Sequence, residues 1–145
     1  MSEPLLSIRD LVVHFTTRQG VVQGVRGVDL SVGCGEILGI VGESGSGKSV
    51  TVQSVMGLIT APGKIVSGDI RWKGSPLVGP AGRKRLRSVR GKEISMIFQD
   101  PMTSLNPYLT VARQMVEVLV LHKGMSETDA RKTALEMLDA VHIPD

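Results

Sequence analysis

Gly42-Glu43-Ser44-Gly45-Ser46-Gly47-Lys48-Ser49 decides how this chain is read. The octet fits the pattern G-x-x-x-x-G-K-[ST]. Glycines let a backbone pass through positive φ and approach a ligand closely. Successive N–H groups then converge as an anion nest. A helix starting at the lysine turns its positive N-terminal end toward the same point. In such a loop Lys48 sets an ammonium on the β- and γ-phosphates of a nucleotide, and the Ser49 hydroxyl ligates Mg²⁺. At this composition and length the pattern arises by chance in about one chain in a hundred. The flanks supply the context it needs. Residues 37–41 (Ile-Leu-Gly-Ile-Val) form a short apolar run expected of a strand buried on both faces. Residues 48–58 have helical character, although Val50, Val52 and Val55 are weak helix formers.

Upstream, residues 5–15 and 21–32 read as two strands joined by a turn at 17–20, an antiparallel hairpin. Downstream, residues 65–72 read as a strand and 74–82 as a loop containing Pro76 and Pro80. A short basic helix follows at 83–90, then an apolar strand at 93–98. Asp100-Pro101 and Asn106-Pro107 bracket a loop. Beyond it, Val111, Met115, Val118 and Leu119 recur at helical spacing. Ser126-Glu127-Thr128-Asp129 fits a capping box. Ala130, Ala134, Met137, Leu138 and Val141 make a second stripe, and both stripes are expected to be packed core.

The whole chain has 145 residues, about the length of one domain. With 41% hydrophobic residues, 21% charged residues and a mean hydropathy of +0.12, it is not an intrinsically disordered chain. No apolar run approaches 18 residues, and no basic stretch at the N-terminus leads into an apolar one. Cys34 is the sole cysteine, which excludes an internal disulfide and fits the cytosol. Six of the 17 basic residues lie at Arg83, Lys84, Arg85, Arg87, Arg90 and Lys92, leaving 11 against 14 acidic ones elsewhere. The patch reads as a solvated helix face. With four aromatic residues in the chain, it lacks the stacking platforms of a single-strand binder. A nucleic-acid binder using this patch on phosphates is a rival reading, which a steep salt dependence of DNA binding, lost when Arg83 to Arg87 are neutralised, would support. His14, His122 and His142 have no ligand-like spacing, and Cys34 has no neighbouring base.

A phosphate loop alone does not choose between a transport ATPase, a GTPase and a nucleotide kinase. No guanine-reading N-K-x-D is present. Residues 36–51, from Glu36 through the loop to Val50 and Thr51, resemble the Walker A region of ABC transporter ATP-binding subunits. The likeness is to the oligopeptide, dipeptide and nickel importer branch. Ile94-Ser95-Met96-Ile97-Phe98-Gln99-Asp100-Pro101-Met102-Thr103-Ser104-Leu105-Asn106-Pro107 resembles the Q-loop segment of that branch.

The resemblance implies an α/β phosphate-loop NTPase fold, an ABC-type nucleotide-binding domain that is incomplete. It would comprise an antiparallel β-subdomain, part of a RecA-like parallel core and the start of a helical subdomain. The expected layout is one domain over 1–145, with Walker A at 42–49, a Q-loop at 99–107 and the helical subdomain from about 108. ATP and Mg²⁺ are the implied cofactors. Gly42, Glu43, Ser44, Gly45, Ser46, Gly47, Lys48, Ser49 and Val50 would hold the phosphates, with Glu43 and Ser44 acting through backbone. Lys48 and Gln99 would serve catalysis, and Ser49 and Gln99 the metal. Phe15, 27 residues before Gly42, stands where the family places an aromatic that stacks on adenine. That ring is usually tyrosine; phenylalanine keeps the π face and loses the hydroxyl.

The same resemblance implies a peripheral position on the cytoplasmic face of the inner membrane. The implied partners are a second ATP-binding subunit, transmembrane permease subunits and, indirectly, an external solute-binding protein, with no nucleic acid. The implied activity is ATP hydrolysis coupled to import of peptides, nickel or a similar solute. Residues 1–145 contain no L-S-G-G-Q-like signature and no four apolar residues followed by Asp-Glu. The expectation is therefore the N-terminal part of a longer subunit, with unpaired strand edges and exposed apolar surface, that does not turn over ATP alone. A truncated, non-catalytic ATP-binding module is the alternative.

Overall fold

The computed structural model describes residues 3–99 and 104–143. The chain forms two compact units, residues 1–89 and 90–145.

In the first unit, β1 (Leu6–Thr17) and β2 (Gly20–Val32) form the expected hairpin. The Thr17 hydroxyl closes its turn by donating to the Gly20 carbonyl at 2.8 Å. With β3 (Gly63–Trp72) and β4 (Ser75–Pro76) they make a four-stranded antiparallel sheet in the order β2-β1-β3-β4. The only partial alternation of β1 has a structural cause. Ile8, Leu11 and Val13 are all buried, a spacing of three and then two. The extra residue is Asp10, at φ +45°, where the register with both neighbouring strands shifts. Such a bulge resets which side chains face inward. Asp10 donates its N–H to the Asp29 carboxylate at 2.8 Å, and Gly68 sits against the bulge, where a Cβ would come within 2.5 Å of the Asp10 carbonyl oxygen. Ile8 pairs with Ile70, and Val13 with Val25, all four buried.

Helix α1 (Lys48–Val55) starts directly on the glycine loop and ends earlier than the 48–58 expected. Gly57, at φ +58°, terminates it. Its buried hydroxyls are satisfied one turn back: Thr51 donates to the Gly47 carbonyl at 2.9 Å and Ser54 to Val50 at 2.7 Å. Helix α2 (Gly79–Val89) begins inside the segment read as loop, because Pro80 suits a first helical turn. Gly82, Leu86 and Val89 are buried, and Arg83, Lys84 and Arg87 are exposed.

Two expected strands are absent. Residues 37–41 and 93–98 form no ladder among the described residues; only an isolated bridge joins Arg90 to Ile94. Ile37 and Val41 are 97% exposed and Ile97 is 93% exposed. A strand exists only where a neighbour offers matching N–H and C=O groups, so apolar character alone does not make one.

In the second unit, α3 (Val111–Lys123) and α4 (Glu127–Ala140) are linked by three residues. Thr110 caps α3 by accepting from the Arg113 N–H at 3.3 Å. Gly124, at φ +66°, ends it. Ser126 caps α4 as the box predicts, accepting from the Asp129 N–H at 3.1 Å. The core is narrower than the two stripes. Leu119, Ala130 and Ala134 are buried, with Met115, Val116 and Met125 packed against them. Val111, Val118, Met137 and Val141 are exposed. Two helices alone cover one seam of each other, so only the residues on that seam lose water. No described helix is long and apolar enough to cross a membrane.

Candidate functional site

The first unit carries the loop. Gly45 (φ +80°) and Gly47 (φ +93°) take the left-handed backbone that the motif anticipates. Between them the Ser46 N–H donates to the Glu43 carbonyl at 3.2 Å, tightening the loop. Gly47 is also the N-cap of α1. No side chain caps that end, and no acidic residue sits in the first turn. The opening N–H groups and their partial positive charge are thus not neutralised from within the helix.

Lys48 folds back over the loop it terminates. Its ammonium donates to the Gly42 and Glu43 carbonyls at 2.7 Å each and to the Ser46 hydroxyl at 3.3 Å. A cation ringed by backbone, beside uncapped N–H groups, is suited to polyphosphate: its donors can pass to phosphate oxygens without leaving the loop. Ser49 is exposed next to it, with a hydroxyl suited to a hard cation already held by phosphate. Among the described residues there is no cluster of three or more His, Cys, Asp or Glu side chains that could hold a metal ion.

Sheet and loop meet at Gly24. A Cβ on Gly47 would lie 2.5 Å from the Gly24 carbonyl oxygen, so only a glycine lets the loop seat on β2 at this distance. Gly24 also flanks Phe15, where a Cβ would lie 2.7 Å from the ring's Cε2. Phe15 is half-buried and pairs with Val22 on one side and Gly63 on the other. One short stretch of β2 therefore touches both the aromatic ring and the glycine loop. Motif and resemblance point to Phe15 and the loop but not to Gly24, whose importance rests on contacts across strands.

Gln99 belongs to the second unit and is exposed at the end of the 93–99 segment. Asp100, Pro101, Met102 and Thr103, quoted above for the Q-loop, lie outside the described residues, as do Pro144 and Asp145. The following loop has an unforeseen anchor in Gln114. Its amide nitrogen donates to the Asn106 and Leu109 carbonyls at 3.1 and 3.0 Å, and its oxygen accepts from the Asn106 N–H at 2.9 Å. Asn106 adds its own turn, accepting from the Tyr108 N–H at 3.0 Å. Asn106-Pro107 signalled that turn; nothing local signalled Gln114.

Comparison with known proteins follows the same lines. A family model described as ABC transporter matches residues 25–145. The oligopeptide transport ATP-binding protein OppD of Bacillus subtilis (strain 168) is 52% identical over 141 residues, which is 97% of this chain and 39% of that protein. The dipeptide transport ATP-binding protein DppD of the same organism is 52% identical over 144 residues, 99% of this chain and 43% of that one. OppD of Escherichia coli (strain K12) is 47% identical, again over 99% of this chain and 42% of its own length. The chain thus spans about two-fifths of the length of these relatives. Among solved structures, the ATP-binding cassette MJ0796 bound to ADP and Pi matches with a TM-score of 0.75 and 24% identity. That match covers 92% of this chain and 56% of the cassette, and it speaks for the fold. Loop, fold and relatives converge: the chain belongs to the ABC transporter family.

Proposed function

We propose that this chain forms the MgATP-binding part of an importer ATPase that energises uptake of peptides. The observation that carries the reading is Lys48 held over a glycine loop whose helix end is uncapped. The names of OppD and DppD support peptides as the imported class.

In this reading the N–H groups of residues 42–50 cradle the phosphates, and Lys48 moves its donors from the loop carbonyls to β- and γ-phosphate oxygens. Ser49 would hold Mg²⁺, which would supply charge that neutralises the phosphates, and the Q-loop resemblance gives Gln99 a metal-ligating role of its own. Phe15 offers its π face to adenine. Phosphoryl transfer then depends on positioning and charge stabilisation around an in-line water. The residues assigned here bind and orient, and none activates that water. We therefore assign binding, without sustained turnover, to these 145 residues. Turnover in the assembled transporter would draw on a second ATP-binding subunit, with permease subunits docking the pair peripherally at the inner face of the membrane. The layout proposed is Walker A at 42–49, a Q-loop at 99–107 and a helical subdomain from about 108.

Titration of the 145-residue chain with MgATP, paired with Lys48→Ala, tests this. Saturable binding that weakens about 10- to 150-fold in the variant is expected, the range for a lost hydrogen bond to a charged group. Equal binding by both chains would remove Lys48 from the site, and no binding by either would sink the proposal.

A further inference from the structure

The Phe15 ring is held by what its neighbours lack. On one side, a Cβ on Gly24 would lie 2.7 Å from Cε2 and 3.1 Å from Cδ2. On the other, a Cβ on Gly63 would lie 2.6 Å from Cε1 and 3.0 Å from Cδ1. The two long edges of the ring thus abut two glycines on flanking strands, and its faces point toward neither. Real Cβ atoms essentially never approach other heavy atoms this closely, so a side chain at either place must displace something.

The two seats differ in what can yield. Gly24 meets ring atoms and, farther off, the Val13 carbonyl at 3.6 Å. Gly63 is closed from two directions, because its Cβ would also lie 3.0 Å from Ile59 Cγ2. Its backbone is fixed as well: its N–H donates to the Thr60 carbonyl at 2.8 Å, the preceding Pro62 carbonyl accepts from the Thr16 N–H at 3.1 Å, and Gly63 pairs with Phe15 in the ladder. Its φ is not in the left-handed region, so backbone conformation does not demand glycine there. The space taken by the ring does.

We propose that Gly63 is a positioning residue for the nucleotide site: the missing Cβ lets the Phe15 ring spread across β1 with a face free for a planar base. This rests on the reading of Phe15 as the adenine shelf. A Cβ at 63 drives the ring toward Gly24 and turns the shelf, while the phosphate loop, seated on the Gly24 carbonyl, is untouched. The expected signature is loss of base recognition with phosphate recognition kept.

The test compares MgATP with magnesium tripolyphosphate on the unmodified chain, Gly63→Ala, Phe15→Ala and the double variant. Gly63→Ala is expected to weaken ATP about 5- to 150-fold, as loss of an aromatic stacking partner does, and to leave tripolyphosphate within about twofold. Adding it to Phe15→Ala should change neither ligand further, since the ring it displaces is gone and the remaining contact, the Ile59 side-chain tip at 3.0 Å, can give way. Should Gly63→Ala not fold, folding of the double variant supports the proposal, because removing the ring removes the contact at 2.6 Å and leaves only the side-chain tip of Ile59 at 3.0 Å, which can yield. Failure of both to fold overturns it, since Gly63 then serves the turn or the contact with Ile59 rather than the ring. If Phe15→Ala leaves ATP unchanged, the adenine reading itself fails. If Phe15→Ala weakens ATP and Gly63→Ala does not, only the positioning role fails. Parallel loss of ATP and tripolyphosphate in Gly63→Ala, or no ATP binding by the unmodified chain, overturns it too.

Discussion

Gly45 and Gly47 offer a controlled comparison within one loop. Both have left-handed φ, +80° and +93°. Alanine at either therefore carries the same backbone penalty, about 1–2 kcal/mol. Their surroundings differ. Around Gly45 a Cβ meets nothing within 4 Å, whereas at Gly47 it meets the Gly24 carbonyl oxygen at 2.5 Å and Val25 Cγ2 at 3.6 Å. That oxygen belongs to the backbone of β2, next to the buried Val25, so it cannot swing aside as a side-chain tip would. Overpacking of this kind adds about 1–3 kcal/mol. Gly47→Ala should thus be less stable than Gly45→Ala by about 1–3 kcal/mol. With a urea slope of about 1–3 kcal/mol per M, this is a midpoint lower by about 1 M. Trp72, the sole tryptophan, lies in β3 of the same unit, so its fluorescence follows the relevant transition. Midpoints for the two variants agreeing within about 0.2 M would refute the claim that the loop is seated on Gly24.

Other consequences are as direct. Ile70→Ala, at a fully buried position paired with Ile8, should destabilise the first unit by about 2–5 kcal/mol. Val66→Ala, half-exposed on the same strand, should change it by under about 0.5 kcal/mol; similar urea midpoints for these two would contradict the core described here. Gln114→Ala should speed hydrogen exchange at the Asn106 amide about 2- to 10-fold, since that N–H loses its acceptor; unchanged exchange would show that the loop holds without Gln114.

Much was legible locally. The octet 42–49 determined a loop with left-handed glycines running into a helix, because only glycine accepts that backbone freely. Ser126-Glu127-Thr128-Asp129 determined where α4 begins, because a side-chain oxygen three residues away satisfies an orphan N–H. β-branched runs on either side of residues 17–20 determined the hairpin. The tertiary structure decided the rest. Residues 37–41 and 93–98 have strand character but no ladder among the described residues, since strand formation is a property of pairs and not of a segment. Which members of the α3 and α4 stripes are buried depended on the one seam those helices share. The bulge at Asp10 and the glycines around Phe15 are contacts between strands, and the Gln114 anchor spans eight residues back to Asn106; composition and spacing carry no record of them. Local physics wrote the phosphate loop into eight consecutive residues. The shelf beside it needed three strands to meet, and that meeting exists only in the fold.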